Sequence, residues 1–133
     1  MANREQDKKL YDACENGDLN TAIKLINDGA DILYQNSADR EMSPLMVALY
    51  NRNYEIVNYL IEKSTNKNET VKQTDRVFSW TPLFYAAEYC DSKTTSKIAS
   101  LTEDLNRKSK GGFTAVDEAV SNNNLPALYS LLR

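Results

Sequence analysis

The sequence contains no histidine and only two cysteines, Cys14 and Cys90, among its 133 residues. A tetrahedral zinc site needs several cysteine or histidine ligands at short spacings, so the composition excludes one. Catalysis by a Ser-His-Asp or a Cys-His arrangement needs histidine and is excluded for the same reason. The two cysteines are far apart in the chain and predict no disulfide framework. We therefore expect no catalytic residues, no metal and no cofactor.

Long apolar runs are also missing. No segment is long enough to cross a membrane, and residues 1–9 (MANREQDKK) have no apolar core of the kind found in signal peptides. We expect a cytoplasmic protein, with delivery into a host cell by a route that leaves no N-terminal mark as the alternative. The net charge is −3, and the richest basic stretch is the short segment 107–110 (RKSK). Because nucleic-acid binding needs a concentrated basic surface, we expect neither a nucleic-acid nor a membrane partner.

A short motif is present three times. It is most complete at residues 79–87 (SWTPLFYAA) and occurs again at 43–48 (SPLMVA) and 114–119 (TAVDEA). In the first of these, Thr81 offers a hydroxyl to cap a helix, and Pro82 supplies a preset φ at the first helical position. Apolar and small residues then follow at helical spacing. Each copy predicts the start of a short helix with one packed face.

The copies recur at a nearly constant period. The marker is the alanine late in each predicted first helix: Ala13, Ala48, Ala86 and Ala119. The steps between these alanines are 35, 38 and 33 residues. A period of about 33 with a T-P-L-H-x-A-like core is the signature of ankyrin repeats. Further matches to that pattern are residues 29–32 (GADI) and 104–114 (DLNRKSKGGFT).

On these residues the chain resembles the ankyrin-repeat family over nearly all of its length. The resemblance implies an all-α solenoid of stacked helix-turn-helix units, joined by short hairpin-like turns. We expect one domain over 1–133, with repeats at about 4–36, 37–69, 75–107 and 108–133. The helices of the second repeat are predicted near 44–51 and 54–62.

Two stretches depart from the regular period. Residues 64–75 begin with a polar run that has no periodicity, and we interpret them as an enlarged loop. Residues 91–96 (DSKTTS) are longer than the usual turn between the helices of a repeat. We therefore expect an irregular second helix in the third repeat, without its terminal glycine.

Single residues also differ from the family pattern. The usual histidine is replaced by Met46, Phe84 and Asp117, and we expect a weaker scaffold unless the first two compensate by apolar packing. Asp117 is expected to face water without compensating. Gly17 is predicted to end its helix in the left-handed conformation, whereas Arg52 stands where the family usually has glycine.

Partners of ankyrin repeats bind the concave surface made by the turn tips and the first helices, which the resemblance maps onto specific positions. The predicted contact residues are Asp39, Arg40, Met42, Tyr50, Asn51, Phe78, Trp80, Glu88, Tyr89 and Phe113. Tyrosine and tryptophan bury large areas and dominate interface energetics. For Trp80 and Phe113, packing against the neighbouring turn is an equally good interpretation, and Cys14 is expected in the core.

These features predict a non-enzymatic module that binds a protein partner as a monomer, with the identity of the partner left open. One alternative is a structural fragment of a larger scaffold or effector. A less favoured alternative is an enzyme or a nucleotide-binding protein. Its one candidate loop, residues 108–112 (KSKGG), lacks the spacing of a phosphate-binding loop.

Overall fold

A computed structural model describes residues 4–132, and within this range the chain forms nine α-helices. In chain order these are α1 Arg4–Asn16, α2 Leu19–Asn27, α3 Pro44–Tyr50, α4 Tyr54–Lys63, α5 Lys67–Lys72, α6 Pro82–Tyr89, α7 Ser92–Leu101, α8 Ala115–Ser121 and α9 Leu125–Leu132. Over the same residues, β pairing is confined to one isolated bridge between Asn36 and Met42. The described part of the chain is therefore all-α, as predicted.

Eight of the helices form four pairs, which we number in chain order: α1 with α2, α3 with α4, α6 with α7, and α8 with α9. The first helices pack on one another in succession, α1 on α3, α3 on α6 and α6 on α8. Second helices pack likewise, α2 on α4 and α7 on α9. Each pair has one apolar face too large for it to bury alone, and the neighbouring pair covers it.

The starts of the first helices follow from their capping residues. The Ser43 hydroxyl accepts a hydrogen bond from the Met46 N–H at 3.2 Å, directly before Pro44. Thr81 occupies the same position before α6, but its side chain makes no capping bond, contrary to the prediction. Asp117 faces water, as predicted, and its exposed carboxylate also accepts the Thr114 N–H at 2.8 Å and completes a capping box. Caps of this kind contribute about 1 kcal/mol each.

Apolar side chains occupy two of the positions where the family pattern has histidine. Met46 and Phe84 are both buried, and the Phe84 ring stacks on that of Trp80 with centroids 5.9 Å apart. Cys14 is also fully buried, as predicted for a small core residue. The apolar packing on which the expected compensation depends is therefore present at both sites.

The turns inside the pairs are of two kinds. Gly17, Arg52 and Asn123 end α1, α3 and α8 with φ of 77°, 57° and 54°, all in the left-handed region. Gly17 agrees with its prediction, and Arg52 adopts the conformation of the glycine that it replaces. In the third pair the chain leaves α6 at Cys90 in an extended conformation, with φ −108° and ψ 169°.

The third pair corrects a prediction, because α7 is a regular helix that begins at Ser92. Only Cys90 and Asp91 separate it from α6, instead of the expected long turn over 91–96. The Asp91 carboxylate caps α7 by accepting the Thr94 N–H at 2.8 Å. Thr95 is fully buried, and its hydroxyl donates to the Asp91 carbonyl at 2.8 Å. Two of the three buried residues of α7 are threonines and the third is Ile98, so the first turns of the helix give little apolar signal in the sequence.

The enlarged loop near 64–75 contains the short helix α5, which is a second correction. The Asn66 side chain caps it by accepting the Glu69 N–H at 3.2 Å. Thr70 and Val71 are buried, and α5 packs against α6 and α7. One apolar residue in a six-residue helix gives no periodic signal. The insertion is therefore part of the packed structure.

Hairpin-like turns project between the pairs, and we call their ends the tips. One tip is closed by the Asn36 N–H donating to the Met42 carbonyl, and the next by Asp75 N–H donating to the Trp80 carbonyl. Successive tips are joined as well, since the Arg76 N–H donates to the Arg40 carbonyl at 2.8 Å. These bonds fix the tips against one another and beside the first helices.

Candidate functional site

The tip before α6 is held by one buried carboxylate. Asp75 is almost fully buried and accepts the backbone N–H groups of Phe78 and Trp80 at 2.9 and 3.2 Å. Its second oxygen accepts the Tyr85 hydroxyl at 2.5 Å. Burial, together with this bond, raises the pKa of the Tyr85 hydroxyl above its ordinary value. Asp75 thereby satisfies three donors and fixes the tip rigidly.

The preceding tip is tied to α1 by a similar bond. The Tyr11 hydroxyl donates to the Asp39 carboxylate at 2.6 Å, and burial followed by this bond raises the pKa of Tyr11. The next two residues, Arg40 and Glu41, both lie in the left-handed region, with φ of 59° and 58°. This reversal of the chain directs the Arg40 guanidinium back over the first helices.

Arg40 meets two tyrosines from different helix pairs. Its Cζ atom lies 5.6 Å from the centroid of the Tyr50 ring, within the range of a cation–π contact. The Tyr50 ring in turn meets the Tyr89 ring edge to face, with centroids 4.9 Å apart and an angle of 85° between the planes. Burial raises the pKa of the Tyr89 hydroxyl to about 12, so it is a neutral donor at physiological pH.

Two carboxylates complete the cluster. Glu88 precedes Tyr89 on α6, and Glu118 lies on α8 of the next pair. Burial raises the pKa of Glu88, the charge of Glu118 adds to the shift, and hydrogen bonding from Tyr89 and Asn122 opposes it. Burial and the nearby Asp117 also raise the pKa of Glu118. The charged forms of both groups are thus disfavoured where they stand.

We call these five residues, Arg40, Tyr50, Glu88, Tyr89 and Glu118, the notch. Beside it lies a shallow cavity of about 360 Å³, lined by Tyr50, Asn51, Arg52 and Tyr89. The Arg52 Nε donates to the Tyr89 carbonyl at 2.9 Å, which ties the second helix pair to the third at this point. The notch therefore draws side chains from three helix pairs and one tip into a single surface.

The structure brings four of the predicted contact residues together in the notch: Arg40, Tyr50, Glu88 and Tyr89. Asn51 lines the adjacent cavity. Phe78 and Phe113 lie on other tips with 40% and 53% of their surfaces exposed. Asp39 is half-buried and already bonded to Tyr11.

Two predicted contact residues, Met42 and Trp80, lie in the core instead of on the surface. Trp80 is 7% exposed and its ring packs against those of Phe84 and Tyr85. Met42 is 1% exposed, and its carbonyl closes the preceding tip. Burial of large apolar side chains at these positions stabilises the tips, which is why they are unavailable to a partner.

Glu118 and Arg52 belong to this surface but were not among the predicted contact residues. The signal for Glu118 was its helical spacing, because it precedes Asn122 by four residues and so shares its helix face. The Asn122 side-chain amide donates to the Glu118 carbonyl at 2.9 Å, in agreement with that spacing. Arg52 gave no such signal, since its role depends on the conformation of the turn.

Over residues 4–132, no group of three or more histidine, cysteine, aspartate or glutamate side chains is placed to hold a metal ion. No helix in the same part of the chain is long and apolar enough to cross a membrane.

Stacked helix pairs with projecting tips define this chain as a helical repeat protein. The model of the family described as "Ankyrin repeats (3 copies)" matches residues 2–71, just over half of the chain, and the protein belongs to the ankyrin-repeat family. No match was found among curated proteins. The predicted family and all-α solenoid fold are thereby confirmed. Ankyrin repeats are generally protein–protein interaction modules without enzymatic activity.

Proposed function

We propose that this protein is a non-enzymatic module that holds a protein partner on the surface formed by its tips and first helices. The observation that carries the proposal is the notch. Two partly exposed tyrosines, a guanidinium and two carboxylates converge there from separate helix pairs. Aromatic and arginine side chains of this kind are the ones enriched at interface hot spots.

The proposal is supported by how firmly the surface is held. Tyr89 is anchored through its carbonyl by Arg52, and the tip that carries Arg40 is bonded to the next tip. A partner would therefore meet side chains whose backbone is already ordered, which lowers the entropy lost on binding. We further propose that the four helix pairs act as one domain, since packing continues from α1 to α9. A monomeric, cytoplasmic protein stays a prediction, and light scattering of the purified protein measures the oligomeric state.

The test is a double substitution, Tyr50→Ala with Tyr89→Ala. Affinity purification from native lysate, with the intact chain and the double variant as baits, is expected to show bands that only the intact chain retains. With the purified partner, calorimetry should show a loss of more than about 2 kcal/mol of binding free energy. Trp80 is left unchanged because it belongs to the core.

The matched control is Tyr129→Ala, which removes a tyrosine that is 63% exposed on α9, outside the notch. Far-ultraviolet circular dichroism of both variants should match that of the parent protein. Equal retention of every band by the double variant and the parent would contradict the proposed binding surface.

A further inference from the structure

The outer face of the fourth helix pair is apolar and open to solvent. Val120 directly follows the marker alanine of α8 and is 58% exposed. The residues at the same position in the first three pairs are fully buried: Cys14, Leu49 and Ala87. Each of them lies on a first helix that packs against the first helix of the next pair. Val120 therefore occupies a position that the earlier pairs bury under a neighbour, and within residues 4–132 no such neighbour covers it.

Three residues of α9 are exposed at positions that contact the next pair in α4. In the register that aligns Ala119 with Ala48, these residues are Leu125, Tyr129 and Leu132, and their counterparts in α4 are Tyr54, Asn58 and Ile61. The Tyr54 hydroxyl accepts the Asp91 N–H of the third pair at 3.2 Å. The Asn58 Oδ1 accepts the Lys97 Nζ of the same pair at 3.0 Å. Ile61 is buried, whereas the three residues of α9 are 45%, 63% and 64% exposed. We call Val120, Leu125, Tyr129 and Leu132 the end face.

The two ends of the stack differ in charge. Between α1 and α2 lies a groove of about 430 Å³, lined by residues of the first pair alone, among them Lys9, Asp12 and Lys24. By contrast, α9 contains no charged residue, and the charges of α8 are confined to its first turn. A terminal pair needs a polar outer face if it is to meet water alone. The first pair has such a face, and the fourth pair does not.

We propose that a second copy of this chain covers the end face, so that the two copies are related by a twofold axis. Such a contact brings the same surface of both copies together, and that surface must therefore suit itself. The end face meets this requirement, because it is apolar and carries no charge that would repel its counterpart. Contact between the end face of one copy and the first pair of another would bury Lys9, Asp12 and Lys24 against apolar side chains. The cost of removing these charges from water disfavours that arrangement, so the structure favours a closed dimer over an open chain of copies.

The size of the end face sets the strength of this contact. Its four side chains expose on the order of 400 Å² per copy, compared with about 800 Å² per partner in a stable complex. We therefore expect a weak dimer. The copies are separate in dilute solution, where the chain is the predicted monomer, and they join as the concentration rises. The notch shares no residue with the end face, so each dimer carries two partner surfaces. In dilute lysate the copies are apart, and Tyr129→Ala remains a control for the notch alone.

Sedimentation equilibrium of the purified full chain measures the association, at concentrations up to about 500 µM because an interface of this size is weak. The parent protein is expected to show a reversible equilibrium between monomer and dimer. Val120→Lys with Leu132→Lys should weaken dimerisation at least about tenfold, because like charges then face each other across the contact. Val120→Glu with Leu132→Glu should have the same effect for the same reason.

An equimolar mixture of the lysine variant and the glutamate variant should restore the dimer, since opposite charges then meet. Misfolding of either variant would give no such restoration, and circular dichroism of each variant should match that of the parent. A mixture of two folded variants that stays monomeric would contradict the pairing of like faces.

Lys24→Glu is the matched control, because it reverses an exposed charge at the opposite end of the stack and should leave dimerisation unchanged. A parent protein that stays monomeric over the whole concentration range overturns the inference. Loss of association in Lys24→Glu, or assemblies that grow beyond two copies, would indicate end-to-end stacking and overturns it as well. If the parent is monomeric and captures a lysate protein that the lysine variant does not, the end face binds a different protein. None of these results affects the proposed function, which depends on capture that needs Tyr50 and Tyr89.

Discussion

We call the contact between two neighbouring helix pairs a joint. The first joint, between the first and second pairs, and the second joint, between the second and third pairs, are held by different atoms. At the first joint, the Asn53 side-chain amide donates to the carbonyls of Cys14 and Glu15 at 2.8 and 3.3 Å. These carbonyls lie near the end of α1, where no further turn of helix supplies a donor. At the second joint, the Cys90 thiol donates to the Leu49 carbonyl at 3.4 Å, which is a weaker bond.

The fourth pair returns to the first arrangement. Asn124 donates to the carbonyls of Ala87 and Cys90 at 2.9 and 3.0 Å, and the left-handed Asn123 precedes it as Arg52 precedes Asn53. The pattern of a left-handed residue followed by asparagine therefore ties the second pair to the first and the fourth pair to the third. The third pair shows that the stack tolerates the loss of this pattern where other contacts replace it, here the bond from Arg52 to Tyr89.

The largest effect is expected from removing the asparagine ties. Asn53→Ala and Asn124→Ala each leave two carbonyls without their side-chain donor, so we expect a loss of about 2 kcal/mol of unfolding free energy in each variant. Urea denaturation followed by circular dichroism measures it. Asn20→Ala, an exposed change on α2, serves as the control and should stay within about 0.5 kcal/mol of the parent. Losses below that limit in both tie variants would remove the contrast between the joints.

A smaller effect is expected at the left-handed residue itself. In Gly17→Ala the new Cβ atom would stand at φ 77° and 3.2 Å from the Asn53 Oδ1, and we expect a loss of about 1 kcal/mol. The matched change is Arg52→Gly, which relieves the same strain but loses the bond to the Tyr89 carbonyl. We expect it to be nearly neutral. Denaturant titration of both variants decides this, and a destabilising Arg52→Gly would show that the arginine bond outweighs the strain.

The contribution of the thiol at the second joint is expected to be smaller again. Cys90→Ala and Cys14→Ala each remove one buried sulfur atom, but only Cys90 donates a bond that the structure shows within residues 4–132. The additional loss at Cys90 should therefore be about 0.5 kcal/mol, a quarter of that at an asparagine tie. Parallel denaturation curves of the two variants measure the difference. A larger loss at Cys14 would mean that packing, and not the thiol bond, governs this joint.

The smallest effect concerns pH and the notch that borders the second joint. Because the pKa of Glu88 is raised above its ordinary value of 4.5, the folded state binds the Glu88 proton more tightly than the unfolded state does. Its contribution to stability is therefore most favourable at low pH and decreases as the pH rises through and above that value. Glu88→Gln should melt slightly higher than the parent at neutral pH, and the difference should vanish in acid.

Melting temperatures measured across this pH range, with Glu15→Gln as the reference, test the prediction. If the melting temperature of Glu88→Gln relative to the parent instead rose as the pH fell, the fold would stabilise the charged carboxylate. That result would be opposite to the direction expected from the burial of Glu88.

The regular parts of the fold could be predicted from sequence, and the irregular parts could not, for identifiable physical reasons. The steps between the marker alanines placed the helices of the second pair to within a residue or so of α3 and α4. In α7 two of the three buried residues, Thr94 and Thr95, are threonines, so the apolar pattern in the sequence is too weak to define the start of the helix. In α5, one buried valine was too little signal for a helix.

The candidate site was predictable to a similar degree. Tyr50, Glu88 and Tyr89 followed from helix position alone, because residues just after the small packed face point away from the neighbouring helix. Trp80 and Phe113 occupy similar positions before their helices, yet one is buried and the other exposed. That difference depends on which neighbouring rings surround each side chain, and this is a property of the assembled stack.

The order of packing has a consequence for how the chain is made. Each first helix packs on the one before it in the sequence, α3 on α1, α6 on α3 and α8 on α6. On a ribosome, every new helix pair therefore emerges next to a surface that has already been synthesised, and folding can advance stepwise from the N-terminus. Val120 and Leu132, 58% and 64% exposed on α8 and α9, show the kind of apolar edge that each step presents until the next pair docks.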